Sequence, residues 1–233
     1  MLYPLSWSLP PGVQAAITDR VCPGNLASHV HADPSAVIRH RRQLMRQLEL
    51  PVAPRWLRQI HSAQGVHFND AAPTVAADAI YADHGPAVCA VLTADCLPIL
   101  LCSGDGSQIA AIHAGWRGLA QGIIQQTLQQ FHGPRETILA YLGPAISVRA
   151  FEVGEDVRAA FLPLHAVDST TFRPHIPGKW YADLSQIAAR LLAQEGCKRV
   201  TFSQQCTYYD QRWDSYRRDP HCGRFASLIW KNN

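Results

Sequence analysis

The chain has 233 residues, 47% hydrophobic and 17% charged, with a formal net charge of +3 from 21 basic and 18 acidic side chains. That is enough apolar sequence for a full core, and too little charge asymmetry to point to nucleic acid or a membrane surface. No apolar run reaches the ~18 residues of a membrane span, and the N-terminus lacks the basic start and apolar stretch of a secretion signal. A cytoplasmic chain is therefore expected, and nothing in it calls for an obligate protein partner. The seven cysteines show no Cys-x-x-Cys spacing. In a reducing compartment they are expected to be free thiols or metal ligands.

Residues 1–32 are short apolar pieces broken by Pro10, Pro11, Gly12, Pro23 and Gly24, with an edge strand expected over Val13–Thr18. His29 and His31 alternate about Val30 and would share a strand face, a spacing open to metal or to a solvated loop. Asp33 as N-cap, Pro34 in the first turn and a stripe of Val37, Ile38, Leu44, Met45 and Leu48 predict a helix over 34–48. Arg39, His40, Arg42 and Arg46 lie mostly off that stripe, as a solvated basic face. Residues 56–68 read as two short strands around Ser62–Gly65, with His61 ending the first. Residues 76–92 read as two more around His84-Gly85-Pro86, with Cys89 in the core; Cys102 reads the same way.

Residues 93–118, TADCLPILLCSGDGSQIAAIHAGWRG, combine two apolar runs, a Gly-Asp-Gly-Ser turn and a glycine-rich helix start. Paired as a hairpin, the runs bring Cys96 and His113 side by side. Beyond Gly118 a helix is expected with Leu119, Ile123, Ile124, Leu128 and Phe131 buried, stopped by Gly133-Pro134. A buried strand follows at 137–144, then a short helix over 151–161 with Val153, Val157 and Phe161 inward, and a loop over 163–181. Asp183 caps a helix running through Glu195, with Gly196 at its end. RVTFS (199–203) is the last clear strand, and the tail from Cys206 is aromatic and basic without a period. With no repeat or linker, the expectation is one α+β domain over 1–233.

His61, Cys96 and His113 are candidate metal ligands and catalytic residues. Two imidazoles and a thiolate suit Zn²⁺, with Cu²⁺ able to compete. Three protein ligands leave a fourth position for water, the pattern of catalytic zinc. Intervals of 35 and 17 residues leave it to the fold to assemble them. The residues alone also allow a metal-free hydrolase using the Cys96/His113 pair, or a zinc-stabilised binding protein without turnover. Arg117, between Gly115 and Gly118 ahead of a helix, is a candidate for gripping phosphate; a loop arginine bonded to carbonyls is the alternative. Asp95 is a candidate general base if the chain bends at Pro98, and otherwise an acid that fixes neighbouring backbone.

The motifs LRQIHS (57–62), TADCLP (93–98), HAGWRG (113–118), LGPAI (142–146), FEVG (151–154) and SYRRDPHCGR (215–224) resemble the YfiH/YlmD-like family from about Gly24 to the C-terminus. That family was formerly labelled multicopper polyphenol oxidase or laccase and is now associated with purine nucleoside phosphorylase activity. The resemblance implies an α/β/β/α unit with mixed sheets, and a catalytic metal on His61, Cys96 and His113. It also implies a zinc-dependent enzyme that phosphorolyses adenosine, inosine, guanosine and 5′-methylthioadenosine and deaminates adenosine. Its partners would be purine nucleosides and phosphate. A base-stacking aromatic would come from Tyr208, Tyr209, Trp213 or Tyr216. The chain departs from the family in a short segment before GNL (24–26) and in His31, which stands where the family has glycine. The older label implies a copper-dependent polyphenol oxidase, yet the closely spaced His-x-His pairs of multicopper oxidases are represented here only by His29-Val30-His31.

Overall fold

The computed structural model describes residues 5–30, 33–72 and 75–232. In chain order the elements are β1 (Val13–Ile17), α1 (Pro34–Gln47), β2 (Gly65–His67), β3 (Ala79–Ala82), β4 (Ala87–Thr93), β5 (Leu97–Cys102) and β6 (Ile109–Ala114). Then follow α2 (Trp116–Ala120), α3 (Ile123–Leu128), β7 (Leu139–Leu142), β8 (Glu152–Gly154), α4 (Glu155–Phe161), β9 (Phe172–Pro174), β10 (Lys179–Ala182), α5 (Leu184–Gln194), β11 (Arg199–Phe202) and β12 (Phe225–Lys231). A six-stranded mixed sheet runs β11-β7-β5-β6-β3-β2, a three-stranded antiparallel sheet runs β1-β12-β4, and a small sheet runs β8-β10-β9.

Period-2 alternation in β5 explains the layering. Leu97, Ile99 and Leu101 face Leu119, Ile123, Ile124, Ile187 and Leu191 on the helical side. Leu100 and Cys102 face the other way, onto Cys89, Val91, Phe225 and Ile229 of the second sheet. The outer face of that sheet, Val88, Ala90, Leu92, Leu228 and Trp230, packs on Leu44 of α1. The order is thus α1, the β1-β12-β4 sheet, the six-stranded sheet, then α2–α5: the α/β/β/α arrangement of an α+β fold with mixed sheets. Strands covered on both faces carry no polar alternation, which is why LPILLC and IAAIH read as unbroken apolar runs. Among the described residues no helix is long and apolar enough to cross a membrane.

The central hairpin forms as expected, with Pro98 opposite His113 and Leu97 opposite Ala114. Asp33 caps α1 by accepting from the Ser35 N–H at 2.9 Å, and Asp183 caps α5 by accepting from the Gln186 N–H at 3.0 Å. Other expectations are corrected. In α1, Ile38 is exposed and Arg41 takes a half-buried place between Val37 and Leu44. Residues 56–61 form no strand beyond a single bridge from Arg58 to Ala76. The helix after Gly118 is broken into α2 and α3 at Gly122, whose φ of 88° ends one turn and starts the next. The start of 151–161 is strand β8, and the loop over 163–181 contains the β9–β10 hairpin. The largest miss is β12, which lies in the supposedly aperiodic tail and is the middle strand of its sheet. His31 lies outside the described residues, so the paired-face reading of His29 and His31 does too.

Candidate active site

The site stands where β5 begins and β6 ends, against the loop after Leu57. Cys96 precedes β5 and His113 is the last but one residue of β6, so the hairpin register sets them beside each other. His61 arrives from a loop, in a left-handed backbone conformation with φ 60°. Its Nε2 lies 3.8 Å from the Cys96 Sγ, and its ring meets the His113 ring edge-on at 4.8 Å. One donor atom from each of the three falls within 4.8 Å of the others.

Asp78, which opens β3, organises this. The carboxylate is fully buried. One oxygen accepts from the His61 N–H at 3.0 Å and from His113 Nδ1 at 2.8 Å. The other accepts from the backbone N–H groups of Ile60 and Ser62 and from the Ser62 hydroxyl, at 3.2, 2.7 and 2.7 Å. Burial alone would raise its pKa; these hydrogen bonds outweigh burial and hold it at about 2. Asp78 therefore pins the strained His61 loop and fixes the His113 tautomer with Nδ1–H toward itself, leaving Nε2 for the site. The sequence carried a signal for it, an aspartate inside the apolar run AADAIYA, but Asp78 was not singled out.

Gly115 and Gly118 turn out to serve packing. A Cβ on Gly115 would lie 2.9 Å from His61 Cδ2 and 3.2 Å from the Cys96 sulfur, and one on Gly118 would lie 2.9 Å from the Ser62 carbonyl oxygen. Both glycines let the His61 loop dock on the β6–α2 turn.

Burial pushes the Cys96 thiol up, but the adjacent His113 and His61 outweigh it and bring the pKa down to about 6. Burial lowers His113, but the Cys96 thiolate and Asp78 raise it to about 9. Both shifts favour a thiolate–imidazolium pair.

Asp95 and Arg117 are placed differently from each other. Asp95 lines the cleft with φ 90°. Both its oxygens are engaged: Oδ1 accepts from the Thr207 hydroxyl at 2.6 Å, and Oδ2 from the Arg217 N–H at 2.7 Å. It ties the C-terminal segment to the cleft wall. Arg117 is exposed, with its guanidinium 4.4 Å over the Trp116 ring, and is not among the cleft-lining residues. The cleft, about 390 Å³, is lined by His29, Gln59, Tyr216, Arg217 and Arg224 besides His61, Asp95, Cys96 and His113. Of the four candidate aromatics only Tyr216 lines it; Trp213 is buried against Phe225. Arg217, Arg224 and His29 were not singled out for this site from sequence.

The donor chemistry fits a borderline divalent metal. A tetrahedral zinc site puts sulfur and nitrogen ligands about 3.6 Å apart, close to the Cys96–His61 separation of 3.8 Å. A second group, His67, Asp83 and His84, is self-satisfied. Asp83 accepts from His67 Nε2 at 2.9 Å and from His84 Nδ1. His67 Nδ1 accepts from the Asn69 N–H at 3.3 Å, so Nε2 carries the proton.

Fold and site together define an α/β/β/α protein with a His₂Cys centre in a cleft lined by arginines and a tyrosine. The chain belongs to the family described as multi-copper polyphenol oxidoreductase laccase, which matches residues 14–232. It is 41% identical to purine nucleoside phosphorylase YfiH of Escherichia coli, over 96% of each chain. It is also 41% identical to a purine nucleoside phosphorylase of Pseudomonas aeruginosa, with the same coverage. A crystal structure from Neisseria meningitidis is 41% identical and superposes over 100% of this chain and 99% of that one with a TM-score of 0.92. YlmD from Geobacillus stearothermophilus is 26% identical, with a TM-score of 0.86 over 96% of this chain and 93% of that one.

Proposed function

We propose that the protein is a zinc-dependent purine nucleoside phosphorylase that also deaminates adenosine. The observation that carries this reading is the His61–Cys96–His113 centre opening into a cleft that also holds Tyr216, Arg217 and Arg224. The names of the relatives support it.

His61 Nε2, the Cys96 thiolate and His113 Nε2 would hold the ion. When bound, the ion supplies positive charge that polarises a phosphoryl or water oxygen. The protein's own groups do the rest. Asp78 keeps His113 and His61 in place. Tyr216 stacks on the purine, and Arg217 and Arg224 neutralise phosphate. In phosphorolysis a phosphate oxygen attacks C1′, the C1′–N9 bond breaks, and the purine leaves with a proton, giving ribose 1-phosphate. In deamination water adds at C6 and ammonia leaves. Adenosine, inosine, guanosine and 5′-methylthioadenosine share the purine and C1′ chemistry, so one cleft accommodates all four. We place the enzyme in the cytoplasm, where its seven unpaired cysteines would stay reduced.

The test is chromatography of adenosine incubated with pure protein, with and without phosphate. Adenine formed only with phosphate is the expected result, with inosine as the deamination product. Unchanged adenosine in both arms would overturn the reading. Copper-dependent phenol oxidation is the second reading, favoured by the family's description. Oxidation of a phenol, with dioxygen as electron acceptor, by the copper-loaded but not the zinc-loaded protein, and without nucleoside turnover, would replace the first with it. The depressed Cys96 pKa also suits the metal-free Cys/His hydrolase; activity surviving chelation but lost on thiol alkylation would identify that.

A further inference from the structure

A second compartment, of about 520 Å³, adjoins the metal cleft and shares His29, Gln59 and Leu92 with it. Three arginines line it: Arg41, Arg55 and Arg58. No carboxylate is among its described lining residues. The arginine ion pairs among the described residues are those of Arg39, Arg158, Arg190 and Arg212, so the three compartment arginines have no carboxylate partner there.

Arg41 is the informative one. It is half-buried on the inner side of α1, and desolvation disfavours its charge. Two of its N–H groups donate to the Leu26 carbonyl, at 3.0 and 2.8 Å, and its guanidinium lies 4.5 Å over the Trp56 ring. The guanidinium is thereby held rigid with donors to spare. A cation withdrawn from water without a counter-charge is costly, and this applies to Arg41; Arg55 and Arg58 are exposed on the same wall, and an anion entering from solution matches the three together. Guanidinium forks suit the oxygen geometry of phosphoryl groups. The compartment is far larger than one inorganic phosphate, and the metal cleft already offers Arg217 and Arg224 to a co-substrate. Gln59, whose amide is fixed at both ends by the Leu92 backbone at 2.7 and 2.8 Å, forms a wall common to both spaces.

We infer that this compartment binds a phosphoryl group carried on the substrate, so that purine nucleoside 5′-phosphates span the two spaces. The base-side half of this inference rests on the nucleoside reading above.

The experiment is titration calorimetry of adenosine, ADP and inorganic phosphate with the wild-type protein and with the Arg55→Ala/Arg58→Ala double variant, both exposed positions. ADP is expected to bind at least about tenfold more tightly than adenosine. The ratio is expected to fall to near one in the double variant, with adenosine affinity unchanged. Arg41→Lys, which keeps charge but loses the planar fork, is expected to reduce the ratio without unfolding the chain. Equal affinities in the wild type would overturn the inference. So would an ADP preference that survives in the double variant, since it would then belong to the metal centre or to Arg217 and Arg224. Inorganic phosphate displacing ADP, with its own binding lost in the double variant, would make the compartment the co-substrate's site and overturn the substrate-borne group. Adenosine phosphorolysis is assayed in parallel. Its absence with the ADP preference intact fails the reaction and leaves the compartment standing; its presence without that preference fails the compartment alone.

Discussion

Asp78→Asn separates orientation of the proposed metal ligands from mere stability. The carboxylate accepts five hydrogen bonds, and the asparagine amide can present its oxygen to only one of the two donor groups. The side with Ile60, Ser62 and the Ser62 hydroxyl has three donors, so the oxygen goes there and the NH₂ faces His61 N–H and His113 Nδ1. Two charge-assisted bonds are lost, and His113 must change tautomer, moving its proton to the Nε2 that the metal needs. Hydrogen bonds to charged groups contribute about 1.5–3 kcal/mol each. With partial relaxation the loss is about 3 kcal/mol, or roughly 6–12 °C in Tm for a chain of this size. Orienting partners of this kind change metal affinity by about 10–100-fold. The assays are thermal unfolding of metal-free protein and zinc competition with a chromophoric chelator. A variant with the lowered Tm but wild-type zinc affinity would refute the argument and leave Asp78 a purely structural residue.

Other consequences follow from the same geometry. Asp78 has a folded pKa of about 2 against about 3.9 unfolded. Its stabilisation is thus complete above pH ~4 and lost as pH falls toward 2, by about 2 kcal/mol; acid unfolding of Asp78→Asn should lack that segment of the curve. In metal-free protein, alkylation of Cys96 followed by peptide mass spectrometry should reach half its maximal rate near pH 6, shift toward 9 in His113→Gln, and be blocked by zinc. Cys96 alone contributes stability at high pH that is lost as pH falls through about 6, and His113 contributes stability at low pH that is lost as pH rises through about 9. Between pH ~6.5 and 9 the pair binds one proton folded or unfolded, so a steep change in metal-free stability across that window would contradict the thiolate–imidazolium pairing. Gly115→Ala drives a methyl group into the His61 ring, costs about 1–3 kcal/mol, and should weaken zinc binding more than Gly133→Ala, an exposed turn control. His61→Ala and Cys96→Ala should abolish metal binding and both nucleoside activities, and turnover in either metal-free variant would remove the metal from the mechanism.

The parts of the fold that were legible in the sequence are those with a strong local signature. The Gly104–Ser107 turn between two apolar runs specified the β5–β6 hairpin, and Asp33 and Asp183 marked the starts of α1 and α5. β12 was missed because FASLIWK is covered on both faces, so it offers no alternation, and aromatic and basic neighbours mask it. The break at Gly122 was missed because the apolar stripe stays in phase across α2 and α3. At the site, Cys96 and His113 were readable from the hairpin register, and His61 from its donor chemistry, with the family motif pointing to the same three. Asp78 was not, because its partners are backbone N–H groups 16 to 18 residues away. From sequence the glycines of HAGWRG read as a helix start around the phosphate candidate Arg117. What approaches them is the protein's own His61 loop, a tertiary contact that no spacing rule encodes.

Two residues beside the cleft, His61 and Asp95, adopt the left-handed backbone region with a full side chain. Each such conformation costs about 1–3 kcal/mol and persists only where its surroundings over-determine it. A buried carboxylate does that in both places. Asp78 holds 60–62 through three backbone N–H groups. Asp95 holds itself, through Thr207 and the Arg217 N–H, while its own carbonyl accepts from the Ile146 N–H at 2.9 Å. Asp78 thereby fixes the ligand that local structure leaves least constrained, and Asp95 fixes the segment that carries Tyr216 and Arg217. The proposed metal side and the proposed substrate side of the cleft are set by separate anchors. Thr207→Val should accordingly loosen the Tyr216–Arg217 wall and raise KM for nucleoside while leaving zinc affinity unchanged, the reverse of Asp78→Asn. Equal loss of zinc affinity in both variants would show that the two anchors act as one unit.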